Sequence, residues 1–327
     1  MPQRIARQIY KEVEQAKKIL LVPHQNPDGD ALGSISSFVY YLRRLNKPHT
    51  VFCLTDSSAK LHSLPHIVEF SSDESVWDDA SYDLIIVLDS GDLKYAGIKK
   101  FVEKLEHDPT IINIDHHPTN TYFGHCNLIM DKASSTAEIL YKFYRHNNIE
   151  IDKNMAASLL TGLITDTENF TNPGTSRDSL KIASDLIKKG ANFNLIKSWF
   201  LRDKSISSLK LWGIVLSRLK KHEEHEIVYT YVTLKDLAEN EADESESEGI
   251  ANFMNNLGDG KASLILKEKD DGSIKGSFRT TRDDFDVAQI AQALGGGGHK
   301  KASGFSLEAN SIDEALEKIW EAIKTLG

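Results

Sequence analysis

The sequence predicts an α/β protein: a parallel-sheet domain with flanking helices, joined by a helical linker to a smaller α/β or α+β domain. Three observations predict it. Short apolar runs alternate with helical stretches through the first half. Polar, acid-rich segments follow three of those runs directly, at 24–30, 89–92 and 115–117, where open α/β sheets form their sites. The pattern breaks at KKGANF (188–193), and strands with a hairpin signal follow. The expected boundaries are 1–190, 191–222 and 223–327.

KKILLV (17–22) is an apolar run ending at Pro23 and His24. Residues 31–45 have helical spacing through Leu32, Ile35, Phe38, Val39 and Leu42, and 50–54 read as a strand. DLIIVLD (83–89) and TIINID (110–115) are apolar at consecutive positions, as strands covered on both faces require. Helical patterns follow at 135–146, 154–165 and 176–189, and a linking helix at 205–221. Residues 226–234, 262–269 and 274–280 read as strands, with Asp270-Asp271-Gly272 as a hairpin turn. Residues 287–294 and 312–326 read as helices, and the acidic run 239–248 as a solvated loop or helix start.

Composition excludes several classes. The 327 residues, 40% hydrophobic and 27% charged, suit a globular protein of two domains. Cys53 and Cys126 form no CxxC pattern and read as reduced thiols. The N-terminus has no apolar leader and no run reaches membrane-spanning length, so a cytoplasmic protein is expected, with no membrane partner. A net charge of −9 disfavours a binder of long duplex nucleic acid, but not a small anion met through bound cations.

HQNPDGDALGS (24–34) sets His24, Asp28 and Asp30 within seven residues around a Pro/Gly turn. Imidazole and carboxylate together suit Mn²⁺-like cations; the ordinary alternative is Asp30 capping the next helix. Asp89 ends a strongly apolar strand, where a carboxylate is costly unless paired or metal-bound. A hydrogen bond to a helix N-terminus would also serve. In NIDHHPTN (113–120) His116 and His117 are neighbours; neighbouring side chains tend to point apart, so one can bind metal while the other faces substrate. Asp115 can orient a ligand histidine. Asp166, in TGLITDTENF (161–170), closes a helix, where a carboxylate opposes the macrodipole and a cation would offset the cost. GGGGHKKASGF (295–305) allows close backbone approach, and its N–H groups can cradle a phosphate, with His299, Lys300, Lys301 and nearby Arg279 as donors.

Together these segments resemble the DHH phosphoesterase superfamily over nearly the whole chain, and the second half is similar to the DHH-associated domain. The stand-alone nanoRNase and pAp-phosphatase group is the most similar. The resemblance implies two Mn²⁺ ions, with Mg²⁺ or Co²⁺ as substitutes. His24, Asp28 and Asp89 would bind one, and Asp30, His116 and Asp166 the other, with Asp89 bridging. His117, beside Asp115, would touch the scissile phosphate or leaving group. Gly296, Gly297, Gly298, His299 and Arg279 would bind the far phosphate or base. A homodimer is also implied. Family members often carry glycine where this chain has Glu168, which bears on substrate preference.

The reaction expected is hydrolysis of short oligoribonucleotides, linear dinucleotides such as pApA or pGpG, or pAp, by water activated between two cations. Direct cleavage of cyclic di-AMP is the alternative. A RecJ-like exonuclease is disfavoured by the lack of an extended basic, aromatic track. A pyrophosphatase is disfavoured by the GGGGH segment. A regulator with a dead site would lack ligands, and none of the six is missing.

Overall fold

The computed structural model describes residues 1–55, 64, 66–201, 205–247 and 249–326. Contacts divide the chain into two units, Met1–Arg202 and Asp203–Gly327.

The first unit runs α1 (Gln3–Gln15), β1 (Ile19–Val22), α2 (Gly29–Arg44), β2 (His49–Val51), β3 (Leu84–Leu88), α3 (Lys99–Val102), β4 (Thr110–Asp115), β5 (Cys126–Ile129), α4 (Thr136–His146), α5 (Lys153–Asp166), α6 (Arg177–Lys188) and α7 (Phe193–Leu201). Its strands form one parallel sheet, ordered β2-β1-β3-β4-β5. Consecutive apolar residues serve its opposite faces. Ile19, Leu21, Leu84, Ile86 and Leu88 pack with the helices, and Leu20, Val22, Ile85 and Val87 pack with Phe52, Trp77 and Ile98. The parallel sheet is as expected.

The four-residue α3 went unread in the sequence, and so did two further elements. One is α1, whose buried stripe is Ala6, Ile9 and Val13. The other is β5, only four residues long at the sheet edge.

The helix packing that carries the site is close. Gly33 lies where a side chain would meet the Ser158 carbonyl at 2.5 Å, and a Cβ on Gly162 would stand 2.4 Å from Asp30 Oδ1. Glycine at these positions lets α2 and α5 touch through backbone.

The second unit runs α8 (Ile206–Ser217), β6 (Lys220–His222), β7 (Ile227–Val232), α9 (Leu234–Glu239), α10 (Ile250–Phe253), β8 (Ala262–Glu268), β9 (Ser273–Arg279), α11 (Val287–Ala293), β10 (Gly297–His299), β11 (Ala302–Glu308) and α12 (Ile312–Leu326). The sheet order is β10-β11-β9-β8-β7-β6, with β7 and β8 parallel and the other neighbours antiparallel. α11 and α12 cover one face, through Val287, Ile290, Ala315 and Ile319. Leu211 and Val215 of α8 and Ile250 of α10 cover the other.

The helix expected over 205–221 stops at Ser217, and 220–222 pair with β7 as a strand. The stretch read as a linker holds α7, whose Ile196 is in the first core, and α8, whose Leu211 is in the second; residues 202–204 lie outside the described residues. The acidic run spans the end of α9 and a turn at Glu244–Ser247, with Glu248 outside the described residues.

Candidate functional site

The ends of β1, β3 and β4 deliver His24, Asp89, and Asp115 with His116 and His117, to one edge of the first sheet. The N-terminus of α2 adds Asp28 and Asp30, and the C-terminus of α5 adds Asp166.

Asp28, not Asp30, caps α2, accepting from the N–H groups of Asp30 and Ala31. Asp30 sits inside the first turn, almost fully buried. Its carboxylate accepts from Thr136 N at 2.6 Å and Ala137 N at 3.0 Å, so it serves the N-terminus of α4. The hydrogen bond to a helix end considered for Asp89 also exists, because Thr136 Oγ1 donates to Asp89 Oδ1 at 2.8 Å. It accounts for only one of that carboxylate's contacts.

Asp89 is the hub. Its φ is +60°, a left-handed backbone that Asp tolerates better than most residues and that is often held at functional sites. Oδ2 lies 3.7 Å from His24 Nε2, and Oδ1 lies 3.7 Å from His116 Nε2. His24 Nε2 is also 3.8 Å from Asp28 Oδ1, and His116 Nε2 is 3.3 Å from Asp166 Oδ2. The donor atoms of His24, Asp28 and Asp89 lie within 4.8 Å of one another, as do those of Asp30, His116 and Asp166. Most of these gaps exceed a hydrogen bond. Two metal–ligand bonds of about 2.1 Å meeting near the tetrahedral angle span about 3.5 Å, so the spacing suits donors sharing a cation.

Electrostatics point the same way. Burial first, then the charges of Asp89, Asp166 and Asp28, raise the Asp30 carboxyl well above its usual range. Burial, then Asp89 and Asp28, do the same to Asp166. Burial and Asp28 also raise Asp89, against the pull of the histidines. Burial works against a charged His24, but Asp28 and Asp89 outweigh it and push the imidazole up to about 9. The site thus concentrates more negative charge than its own residues neutralise, and the donor set fits divalent cations.

Asp115 orients His117 rather than a residue of the His116 group: its Oδ1 accepts from His117 Nδ1 at 2.7 Å. Asn120 Nδ2 donates to the other oxygen at 2.6 Å and to Asn113 Oδ1 at 2.8 Å. Burial opposes the ionised Asp115, but His117 and Asn120 hold its carboxyl below the usual range. Burial likewise opposes a charged His117, yet Asp115 and Asp89 lift it to about 9. Thr136, Asn113 and Asn120 were missed in the sequence; the two asparagines bracket the DHH segment, but nothing local signals their pairing.

Glu168 begins three successive residues with positive φ, at +49°, +59° and +63° through Asn169 and Phe170. That backbone favours glycine, so Glu168 is strained in its own position.

In the second unit the expected glycine loop is partly a strand. Gly297–His299 form β10 at the sheet edge, turned back onto β11 at Lys300 and Lys301. Gly296 is packed so that a Cβ would meet Gly304 O at 2.1 Å, and Gly298 has φ +138°. Ala302 pairs with both His299 and Arg279. Directly opposed strand residues share a face, so Arg279 and His299 stand in one row. Arg279 Nε donates to Asn252 Oδ1 at 3.2 Å, a partner the sequence did not suggest.

Residues 18–163 match the DHH family, N-terminal domain, and residues 224–325 match the DHHA1 domain. The chain therefore carries a DHH domain followed by a DHHA1 domain. Among DHH relatives it is 29% identical to the bifunctional oligoribonuclease and PAP phosphatase NrnA of Thermus thermophilus, over 98% of this chain and 93% of that protein. It is 27% identical to the cyclic-di-AMP phosphodiesterase GdpP of Bacillus subtilis, over 98% of this chain but only 50% of that one. A solved exopolyphosphatase-related protein from Bacteroides fragilis superposes with a TM-score of 0.90 at 26% identity, covering 99% of this chain and 96% of that one. Within the matched range, Asp115, His116 and His117 form an Asp-His-His triplet at and just after the end of β4.

Proposed function

We propose that this chain is a divalent-metal-dependent phosphoric ester hydrolase that cleaves short oligoribonucleotides or linear dinucleotides, and pAp. The observation that carries the reading is Asp89, whose two oxygens face two separate histidine–carboxylate groups. His24, Asp28 and Asp89 would hold one cation, and Asp30, His116 and Asp166 a second, with Mn²⁺ favoured by the mixed donor set. When bound, such ions supply Lewis acidity toward phosphoryl oxygens and make water a usable nucleophile near neutral pH.

The chain's own residues do the rest. Thr136 and the α4 N–H groups fix the orientation of Asp89 and Asp30. Asp115 anchors His117 through Nδ1, which leaves Nε2 to donate to a phosphoryl oxygen or the departing oxygen. The row of Arg279 and His299, with the β10 glycines, offers cationic and backbone donors to a second phosphate or a base. The similarity to NrnA over nearly both whole chains supports the substrate class.

A turnover panel tests the reading, using pAp, pApA, a five-nucleotide RNA and cyclic di-AMP, each with Mn²⁺ and with Mg²⁺. Faster turnover of the linear substrates is expected. Preference for cyclic di-AMP would move the chain to the activity that names GdpP. Full activity of Asp89→Ala would refute the metal-centred mechanism.

A further inference from the structure

Tyr95 takes part in none of the roles assigned above, yet it borders the site. It lies in the segment between β3 and α3, which is tied to the turn carrying His24. Gln25 N donates to the Tyr95 carbonyl at 3.1 Å, and Gln25 Nε2 donates to the Lys94 carbonyl at 2.9 Å. Tyr95 N donates to Asp92 Oδ1 at 2.7 Å. The backbone beneath the ring is therefore fixed on both sides.

The ring stacks on His24 at 4.9 Å and 21°, and meets His117 edge-on at 6.4 Å and 70°. Even so, Tyr95 remains 48% exposed. A large aromatic side chain, held in place and half open beside the residue expected to touch the reacting phosphate, is an unusual use of surface for a ring needed only to support His24. The stack on His24 engages one face, and the exposed part of the residue is an uncharged aromatic surface beside Asp28, Asp89 and Asp115.

We propose that Tyr95 is the platform on which the nucleobase next to the scissile phosphate stacks. The ligand class is a planar aromatic base of either purine or pyrimidine type, since stacking is tolerant of base identity. This rests on the phosphoesterase reading and sharpens it, because it makes a nucleoside beside the reacting phosphate part of what is recognised.

The test uses the full chain loaded with Mn²⁺ and three proteins: wild type, Tyr95→Phe and Tyr95→Ala. Substrates are pApA and two analogues, each with an abasic sugar in place of one adenosine. For Tyr95→Ala, kcat/KM on pApA should fall about 5- to 100-fold, the range of one lost base stack. On one of the two abasic analogues it should match the wild type within about twofold. Tyr95→Phe should stay close to wild type throughout. Mn²⁺ affinity, titrated in parallel, should be the same in all three. An equal loss on pApA and both analogues, or a loss that follows weakened Mn²⁺ binding, would show that the ring only supports His24. If wild type hydrolyses neither pApA nor pAp nor a five-nucleotide RNA, the functional reading falls and the platform with it. If wild type hydrolyses pApA and Tyr95→Ala is unimpaired, the platform alone falls.

Discussion

Asp166→Asn should stabilise the metal-free protein while weakening its cation binding. Asp166 closes α5, where its charge opposes the helix macrodipole. Its carboxylate oxygen lies within 4.8 Å of one on Asp30. At an effective dielectric near 20, two full charges that far apart repel by about 3.5 kcal/mol. Both carboxyls are raised well above their usual range, by burial first and then by neighbouring carboxylates, so proton uptake lowers the realised cost. The contact with His116, 3.3 Å away, is worth about 1 kcal/mol in the other direction. A net gain of about 1–3 kcal/mol remains, which for a unit spanning Met1–Arg202 raises Tm by about 3–10 °C. The assay is thermal unfolding in EDTA and again with excess Mn²⁺. Mn²⁺ should raise the wild-type Tm and shift the variant much less. A variant that is less stable than wild type in EDTA, or equally stabilised by Mn²⁺, would refute the picture of crowded, uncompensated carboxylates.

Other outcomes follow from the same geometry. In metal-free protein the His117 imidazole sits at about 9, against about 6.5 when unfolded. Its charge therefore contributes stability that is fully present below pH 6.5 and lost as pH rises through 9; urea midpoints of wild type and His117→Gln should converge over that interval, and a gap that widens contradicts the pairing with Asp115. Gly162→Ala puts a methyl 2.4 Å from Asp30 Oδ1 and 2.7 Å from Ala137 Cβ, so it should cost about 1–3 kcal/mol and weaken Mn²⁺ binding, which denaturant curves and metal titration would show. Arg279→Lys keeps the charge but loses the Nε donation to Asn252; KM for pApA should rise severalfold with Mn²⁺ affinity unchanged.

The candidate site's edge was legible because each motif abuts a strand of consecutive apolar residues, and that arrangement fixes both the strand and its exit. Less legible was anything decided by packing between distant segments. Asp30 reads as the cap in sequence, but Asp28 takes that place, because α4 presents its N–H groups to Asp30. The αL backbone of Asp89 has no local signature. Four glycines read as a loop because strand propensity is low for glycine, yet Ala302, Ser303 and Gly304 on β11 pull two of them and His299 into a ladder. Residues 220 and 221 continue the helical pattern in sequence and are captured instead by β7. The periodic face of α1 was present in the sequence but was weighed only as a leader.

The central claim is a two-cation centre bridged by Asp89. Equilibrium dialysis of the metal-stripped protein against Mn²⁺, followed by metal analysis, tests it most directly. The account predicts saturation at two ions per chain for wild type and markedly weaker binding of both ions in Asp89→Ala. Saturation at one ion, or an Asp89→Ala protein that still binds two with wild-type affinity, would contradict it.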